Sequence, residues 1–501
     1  MRPRRDWCVK LAAAAVVCAG CSRAPASPQG SAGPSQPDPA SAVASPSFAT
    51  PLPDGGYASA LIENVPHVVQ KPDFCGEAAT EMYLRALGKP VDQDQVFALS
   101  AMPPERGMGA TTHELKTALV RLGFDVGPVW HVLLAVEAQT ELAHRFEELH
   151  ADLARGVPSI VCMHYDDRPH TSEHFRLVLG YDAERDEVIY HEPAVADGAY
   201  RRMPRAKFLA LWPLKYDARL WTVIRLRLDA ASIKLPDPVV GVSPADYAQA
   251  VMRLRPTVPT GFTVVVEPPF IVVGNDVQAR VRERASGTVR WTVNRLKRDF
   301  FTRDPEHILT IWLLKDAASY RRFVQERFGE APSTPYGFYS DRQHALVMNI
   351  ATGGGTLVHE IVHPFMEANF PECPAWFNEG LGSLFEQSAD RDGHIVGLTN
   401  WRLAGLQRSI RSGELPSFRE LTSTTSHQFY DQDPGTNYAQ ARYLLYYLQE
   451  HGLLLRYARE FMQNHRRDPT GYQTLQAVLG EPDLGAFQKR WEAYVLGLRF
   501  P

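Results

Sequence analysis

The pentapeptide HEIVH at residues 359–363 constrains this chain more than any other segment. On a helix, two histidines four positions apart project from the same face, so His359 and His363 can share one metal ion. Glu360 lies beside that ion, where its carboxylate can take a proton from water. The following segment WFNEG supplies Glu379 as a third ligand and leaves one position open for water, as in catalytic zinc sites. A structural zinc site, or no zinc, is the alternative.

Pro364 directly follows the second histidine of this motif. Proline has no backbone N–H, so it removes the helical hydrogen bond to the carbonyl of Glu360. The sequence therefore predicts that the helix kinks or ends at this point.

Length and composition limit the number of domains and the class of protein. A chain of 501 residues is too long for one hydrophobic core and predicts two or three domains. With 45% hydrophobic and 22% charged residues, the composition is that of an ordinary globular protein. A net charge of -4 gives no reason to expect nucleic acid as a partner. Nothing in the sequence indicates an oligomeric state.

The N-terminus has the pattern of an export signal. A basic start is followed by a short apolar run and small residues, which is typical of a secretory signal rather than a membrane-spanning helix. The segment CAGC ending at Cys21 resembles the bacterial lipobox, although Cys18 stands where that pattern prefers Leu or Val. The resemblance implies a signal peptide over 1–21, a lipid anchor at Cys21 and, from Ser22, an outer-membrane lipoprotein facing the periplasm or the cell surface. Simple cleavage and release is the alternative.

Residues 22–58 are rich in Pro, Ala, Ser and Gly and predict a flexible tether. Beyond the signal and the lipid-bearing cysteine, only Cys75, Cys162 and Cys373 remain. An odd number of cysteines implies no disulfide framework and at least one free thiol.

The rest of the chain predicts an α+β protein of two domains. Residues 59–228 show helical patterns first and strand patterns after, which favours a mainly antiparallel sheet. The proline-containing segment 229–260 predicts a linker with one short helix near 245–254. Residues 261–501 alternate strands and helices and then become helical. The final helices, from Tyr438 onward, predict a lobe packed under the metal site, with a tetratricopeptide pair as the alternative.

Residues 261–501 resemble the gluzincin metallopeptidases, especially the peptidase MA-like domains of bacterial exported proteins. The resemblance rests on a hairpin before the motif, on HEIVH and on PAWFNEG. It implies that His359, His363 and Glu379 hold Zn²⁺ and that Glu360 is the general base in peptide-bond hydrolysis.

Two further expectations follow from this resemblance. The strand 345–350 is expected to be the sheet edge along which a substrate lies extended. Tyr438 is expected to donate a hydrogen bond to the anionic intermediate, with a packing role at the helix start as the alternative.

A second set of chemical groups lies in residues 59–228. Cys75 precedes a helical pattern, His174 opens a strand and Glu192 ends the next strand, an order that suits a nucleophile, a base and an orienting acid. A helix N-terminus would lower the pKa of Cys75, and Gln70 could donate to the oxyanion. Cys75 as an ordinary buried thiol, with His174 as a satisfied strand histidine, is the alternative.

This block resembles the papain-like peptidases that process double-glycine leaders. The CG pair at Cys75 and the strand HFRLVLGYD carry the likeness, whereas Glu192 stands where that family has Asp before Pro. The resemblance implies a papain-like fold and a cysteine-peptidase site. His164, His170 and His191 also lie in this block and are interpreted as surface or packing residues.

Together these patterns predict an exported, lipid-anchored peptidase with a papain-like domain followed by a zinc domain that has a small sheet and a helical lobe. A peptide or protein is the expected substrate. One alternative is a zinc peptidase whose N-terminal domain binds peptides without catalysis. Another is an envelope scaffold in which both sites are degenerate.

Overall fold

The computed structural model describes residues 56–169, 171–230, 232–238, 241–432 and 434–500. The predicted signal peptide, Cys21 and nearly all of the predicted tether lie outside these residues. Of the described residues, 56–256 form one compact unit and 257–500 another. Among the helices described, none combines the length and the apolar character needed to cross a membrane.

The unit 56–256 is built on a mostly antiparallel arrangement of short strands. Its strands are β1 Ala60–Leu61, β2 Phe124–Asp125, β3 Trp130–Leu134, β4 Ser159–His164, β5 Glu173–Asp182, β6 Glu187–His191, β7 Arg201–Pro204, β8 Leu220–Arg227 and β9 Asp229–Ala230. Its helices are α1 Cys75–Ala86, α2 Gln93–Ser100, α3 Thr112–Leu122, α4 Ala138–Ala154, α5 Arg205–Leu211 and α6 Pro244–Leu254. The main sheet has the order β3-β8-β4-β5-β6-β7, and β1 also pairs with β5.

Helices cover both faces of this sheet. On one face, α1 packs Ala78 and Met82 into a cluster with Phe175 and Leu177 of β5. On the other face, apolar residues of α4 pack with alternate residues of the same strands. Since both faces of β5 are covered, its sequence is a nearly continuous buried run rather than an alternating one.

The segment 229–260 contains the predicted short helix, but most of it belongs to the first unit. Its helix α6 begins with a capping box at Ser243 and a proline at the first turn. Ala245 and Ala248 of α6 are fully buried against Phe74 and Phe97. Pro244 therefore marks a helix start within the first unit, and the unit boundary falls at residues 256–257.

The unit 257–500 combines one sheet with a large helical part. Its strands are β10 Thr263–Glu267, β11 Phe270–Gly274, β12 Leu309–Leu314, β13 Gly337–Ser340, β14 Ala345–Asn349, β15 Ser388–Arg391 and β16 His394–Gly397. Its helices are α7 Gln278–Arg284, α8 Trp291–Asp299, α9 Ala317–Phe328, α10 Gly355–Asn369, α11 Ala375–Phe385, α12 Arg402–Ser412, α13 Phe418–Ser423, α14 Ser426–Asp431, α15 Pro434–Glu450, α16 Leu454–Asn464, α17 Tyr472–Leu479 and α18 Leu484–Gly497. A π-helical segment, Ala285–Arg290, joins α7 to α8.

The five-stranded sheet of this unit has the order β10-β11-β12-β14-β13. Strands β11, β12 and β14 run parallel, and β13 pairs antiparallel with β14. The expectation that residues 345–350 form the edge is therefore wrong, because β14 is paired on both sides. The chain turns back between β13 and β14, at residues 341–344, and β13 forms the edge of the sheet beside β14.

Helix α10 carries HEIVH without ending at Pro364. Of the two predicted outcomes, a kink or an end at the proline, the end is wrong, because the helix continues to Asn369. Phe365 and Met366 beyond the proline are buried in the main apolar cluster, and the side-chain amide of Asn369 donates to the carbonyl of Phe365 at 2.8 Å. Burial of this last turn offsets the loss of one backbone hydrogen bond.

Candidate active sites

The three predicted metal ligands lie together where α10 meets α11. The ligand atoms of His359, His363 and Glu379 are all within 4.8 Å of one another, and all three side chains are buried. His359 Nε2 lies 3.1 Å from Glu379 Oε2, and His363 Nε2 lies 3.9 Å from Glu379 Oε1. This donor set of two imidazoles and one carboxylate is the kind that holds a catalytic zinc.

The imidazole of His363 has one buried nitrogen without a hydrogen-bond partner. Its Nδ1 lies 3.0 Å from Oδ1 of Asn378, which accepts the imidazole proton and leaves a lone pair on Nε2. That Nε2 is buried and has no hydrogen-bond partner. Since buried polar atoms are almost always satisfied, this nitrogen fits a metal ion between the two histidines and Glu379.

A carboxylate also stands behind His359, and sequence analysis missed it. Glu386 Oε1 lies 3.3 Å from His359 Nδ1. Arg402 binds this carboxylate through Nε at 2.9 Å and through its terminal nitrogen at 2.7 Å, and Asn400 donates to it at 3.1 Å. Although His359 Nδ1 makes no hydrogen bond of good geometry, the anchored carboxylate faces that side of the ring, and the other ring nitrogen, Nε2, faces Glu379.

Two tyrosines reach Glu379 from the helical part. The hydroxyl of Tyr430 donates to Glu379 Oε1 at 2.7 Å. The predicted Tyr438 also interacts with this carboxylate, and burial together with the negative charge of Glu379 raises the pKa of Tyr438. Although burial raises the pKa of Glu379, the charge of His363 and the hydrogen bonds from His359 and Tyr430 lower it to about 2. Glu379 is therefore ionised, and Tyr430 is a second residue that sequence analysis missed.

Glu360 is buried beside the histidines and has a free acceptor. Its Oε2 has no hydrogen-bond partner. Burial raises its pKa, and the neighbouring histidines oppose that rise. A carboxylate with one unengaged oxygen in this position can accept a proton from water.

Two glycines allow the close approach of α10 and α11. A Cβ at Gly382 would lie 3.1–3.2 Å from the ring of His359. A Cβ at Gly355 would lie 2.0 Å from the carbonyl oxygen of Glu386. The two helices therefore meet at the metal site through positions that have no side chain.

A cavity of about 1580 Å³ opens over these residues. His359, Glu360, His363 and Glu379 all line it, together with both tyrosines and the residues of β13. The candidate metal ligands and the candidate base thus face a space large enough for several residues of a peptide.

The cysteine site of the first unit has Cys75 as the first residue of α1, as the sequence predicts. The backbone N–H of Phe175, next to His174, interacts with the thiol and lowers its pKa. Burial has the larger, opposite effect, and the charges of Glu77 and Asp73 add to it, so the pKa of Cys75 rises to about 12. This direction is the opposite of the expected depression, because desolvation of the half-buried thiol has a larger effect on its pKa than the backbone N–H of Phe175.

His174 and Glu192 form a buried pair. The side chain of Glu192 also accepts from Nε of Arg176 at 2.7 Å and from the backbone of Ala194 at 3.1 Å. Burial raises the pKa of Glu192, but His174 and Arg176 together lower it to about 2. The predicted orienting acid is therefore in place, and within the described residues no hydrogen bond joins His174 to Cys75.

Gln70 and the other histidines of this block differ in burial and in hydrogen bonding. The side-chain oxygen of Gln70 is buried without a hydrogen-bond partner. His191 is fully buried and satisfied, since Val65 and Tyr200 engage its two nitrogens at 2.9 Å. His164 is partly buried, and His170 lies outside the described residues.

One family model matches part of the first unit. Residues 62–218 match the model of the Peptidase_C39 like family. The peptidase domain of Streptococcus ComA, a bi-functional ABC transporter involved in a quorum-sensing pathway, is similar at 17% identity, with a TM-score of 0.23. That likeness covers 33% of this chain and 99% of the ComA domain. No curated protein matches this chain. The family match thus makes residues 62–218 similar to C39-like cysteine peptidases.

Proposed function

We propose that the unit 257–500 is a zinc metallopeptidase of the gluzincin type. One observation carries the proposal. The ligand atoms of His359, His363 and Glu379 converge within 4.8 Å, and the buried Nε2 of His363 has no partner. An ion at that point would satisfy this nitrogen and balance the ionised carboxylate.

A zinc ion held by these ligands would supply a Lewis acid and lower the pKa of bound water toward about 7. Glu360 accepts the proton of the attacking water on its unengaged oxygen and passes it to the leaving amine. Tyr438 lines the same cavity and donates to the oxygen of the scissile carbonyl as charge develops there. Strand β13, the sheet edge beside the site, orients the substrate backbone.

Metal content and peptide hydrolysis test this proposal together. Wild-type protein is expected to contain one zinc per chain by elemental analysis, and His363→Ala protein to contain much less. Glu360→Gln should retain zinc and lose hydrolysis, because it removes the base and no ligand. Glu330→Gln is the matched control, since Glu330 is an exposed carboxylate of the same cavity. Full zinc in the His363→Ala protein would refute the ligand assignment.

A second peptidase site at Cys75 is also proposed, on the strength of the buried His174–Glu192 pair. The raised pKa of Cys75 favours the alternative, a domain that binds peptides without cutting them. Residual hydrolysis by Glu360→Gln protein that disappears in Glu360→Gln/Cys75→Ala protein would assign activity to the cysteine. Peptide binding without any residual hydrolysis would favour the binding module.

We further propose that the protein acts at the bacterial cell envelope, held by lipid on Cys21. The support is the basic and apolar N-terminal pattern that precedes this cysteine. Wild-type protein is expected in the membrane fraction and Cys21→Ala protein in the soluble fraction. An unchanged distribution would contradict the lipid anchor. An envelope scaffold with two degenerate sites would show neither zinc nor hydrolysis.

A further inference from the structure

Exposed aromatic side chains mark the mouth of the metal cavity. Tyr336 is 49% exposed and Trp401 is 61% exposed, and both line the cavity. In the described part of 257–500 the other exposed large aromatic is Phe500, which does not line it. The guanidinium of Arg402 lies 4.3 Å from the centre of the Trp401 ring and holds it in place. Rigid apolar groups that remain in contact with water at a cleft are typical of binding surfaces.

Most charged side chains that line the cavity are already paired or belong to the proposed metal site, so few can bind a charged substrate. Arg402 and Glu386 neutralise each other through their two hydrogen bonds. The histidines, Glu379 and Glu360 belong to the metal site. Among the described lining residues this leaves one carboxylate, Glu330 on the exposed rim, and no cation without a counter-ion. Among its described lining residues, the cavity therefore offers no cationic side chain without a counter-ion to pair with a substrate's terminal carboxylate.

The edge strand adds a constraint on substrate shape. Every residue of β13 lines the cavity, and β13 pairs only with β14. Alternate backbone N–H and C=O groups of such a strand point away from its partner and can pair with an added chain. An extended peptide meets this requirement, and its alternate side chains then reach the walls of the cleft.

We propose that this cleft binds interior, uncharged and apolar stretches of extended polypeptide, so that the protein is an endopeptidase that does not need a chain end. The cutting rests on the proposed zinc chemistry, whereas the binding preference rests on Tyr336, Trp401, β13 and the absence of a free cation in the described lining.

Three versions of one apolar octapeptide test the preference with zinc-loaded full-length protein. One has acetyl and amide blocks at its ends, one has free ends, and one carries lysines and glutamates in place of the apolar residues. Blocked and free peptides should be cut at an internal bond with kcat/KM values within about threefold of each other. The charged peptide should be cut at least about tenfold less efficiently. A requirement for a free amine or carboxylate, or a preference for the charged peptide, would overturn the proposal.

Variants of Tyr336 and Trp401 provide a second test of the proposal. Trp401→Ala and Tyr336→Ala should each raise KM for the blocked peptide about tenfold and leave kcat nearly unchanged. Phe500→Ala, which removes an exposed aromatic from outside the cavity, should change neither. Equal KM values for all three variants would overturn the proposal.

Binding to zinc-loaded Glu360→Gln protein separates this inference from the proposed chemistry. Blocked peptide that binds this protein in a Trp401-dependent way supports the inference even when the wild type cuts nothing. Cutting of charged peptides, with no binding of the blocked one, supports the zinc chemistry and overturns the inference.

Discussion

Tyr430→Phe is predicted to weaken zinc binding without removing a ligand. The substitution deletes one hydroxyl and keeps the ring, so the lost contact is the 2.7 Å hydrogen bond to Glu379 Oε1. A hydrogen bond to a charged group contributes about 1.5–3 kcal/mol, and about 1.4 kcal/mol is tenfold in affinity. The Kd for zinc should therefore rise about 10- to 100-fold, in line with the usual cost of losing a residue that supports a metal ligand.

Competition with a chromophoric chelator measures this Kd directly, without any need for hydrolysis. The matched control is Tyr457→Phe, which removes a buried hydroxyl that donates to the carbonyl of Gly471 at 3.2 Å in the same unit. The control should lose some stability to unfolding and keep the wild-type Kd. A Tyr430→Phe Kd within about twofold of wild type would refute the idea that Tyr430 holds Glu379 as a metal ligand.

Two further predictions concern the thiol of Cys75 and the contact between Gly382 and the ring of His359. With a pKa raised to about 12, Cys75 is neutral at pH 7, so its alkylation, followed by peptide mapping, should accelerate about tenfold per pH unit up to pH 9. A plateau near pH 7 would show a thiolate–imidazole pair instead. Gly382→Ala should weaken zinc binding about tenfold, because its Cβ would lie 3.1 Å from the His359 ring. Gly405→Ala, whose Cβ meets no atom nearer than 3.9 Å, should not, and equal chelator titrations would contradict this reasoning.

The sequence was most informative where local spacing alone decides geometry. The spacing of His359 and His363 depends only on the helical period, and the structure brings both to Glu379. Glu386 lies seven residues after Glu379 on nearly the same helix face, so a signal for it existed in the sequence. Its place beside the histidines could be assigned only from the structure, in which Arg402 donates to it from another helix.

The predictions that failed all concern features that depend on tertiary packing. The start of α1 at Cys75 could be predicted, but the burial that raises its pKa could not. The hairpin before the metal helix could be predicted, but its sequence does not show which strand remains unpaired. Pro364 was expected to kink or end α10, and the packing of the turn beyond it excludes the end.

The contact at Gly355 bears on how the proposed metal site could be moved to another protein. Because a single methyl group there would overlap the carbonyl oxygen of Glu386, the distance between the two helices depends on a residue that binds nothing. A designer who copies only the histidines, the glutamates and the tyrosines onto a new scaffold would reproduce the chemistry of the ligands but not their separation. In a saturation library selected for zinc retention, Gly355 should tolerate as few replacements as the histidines themselves.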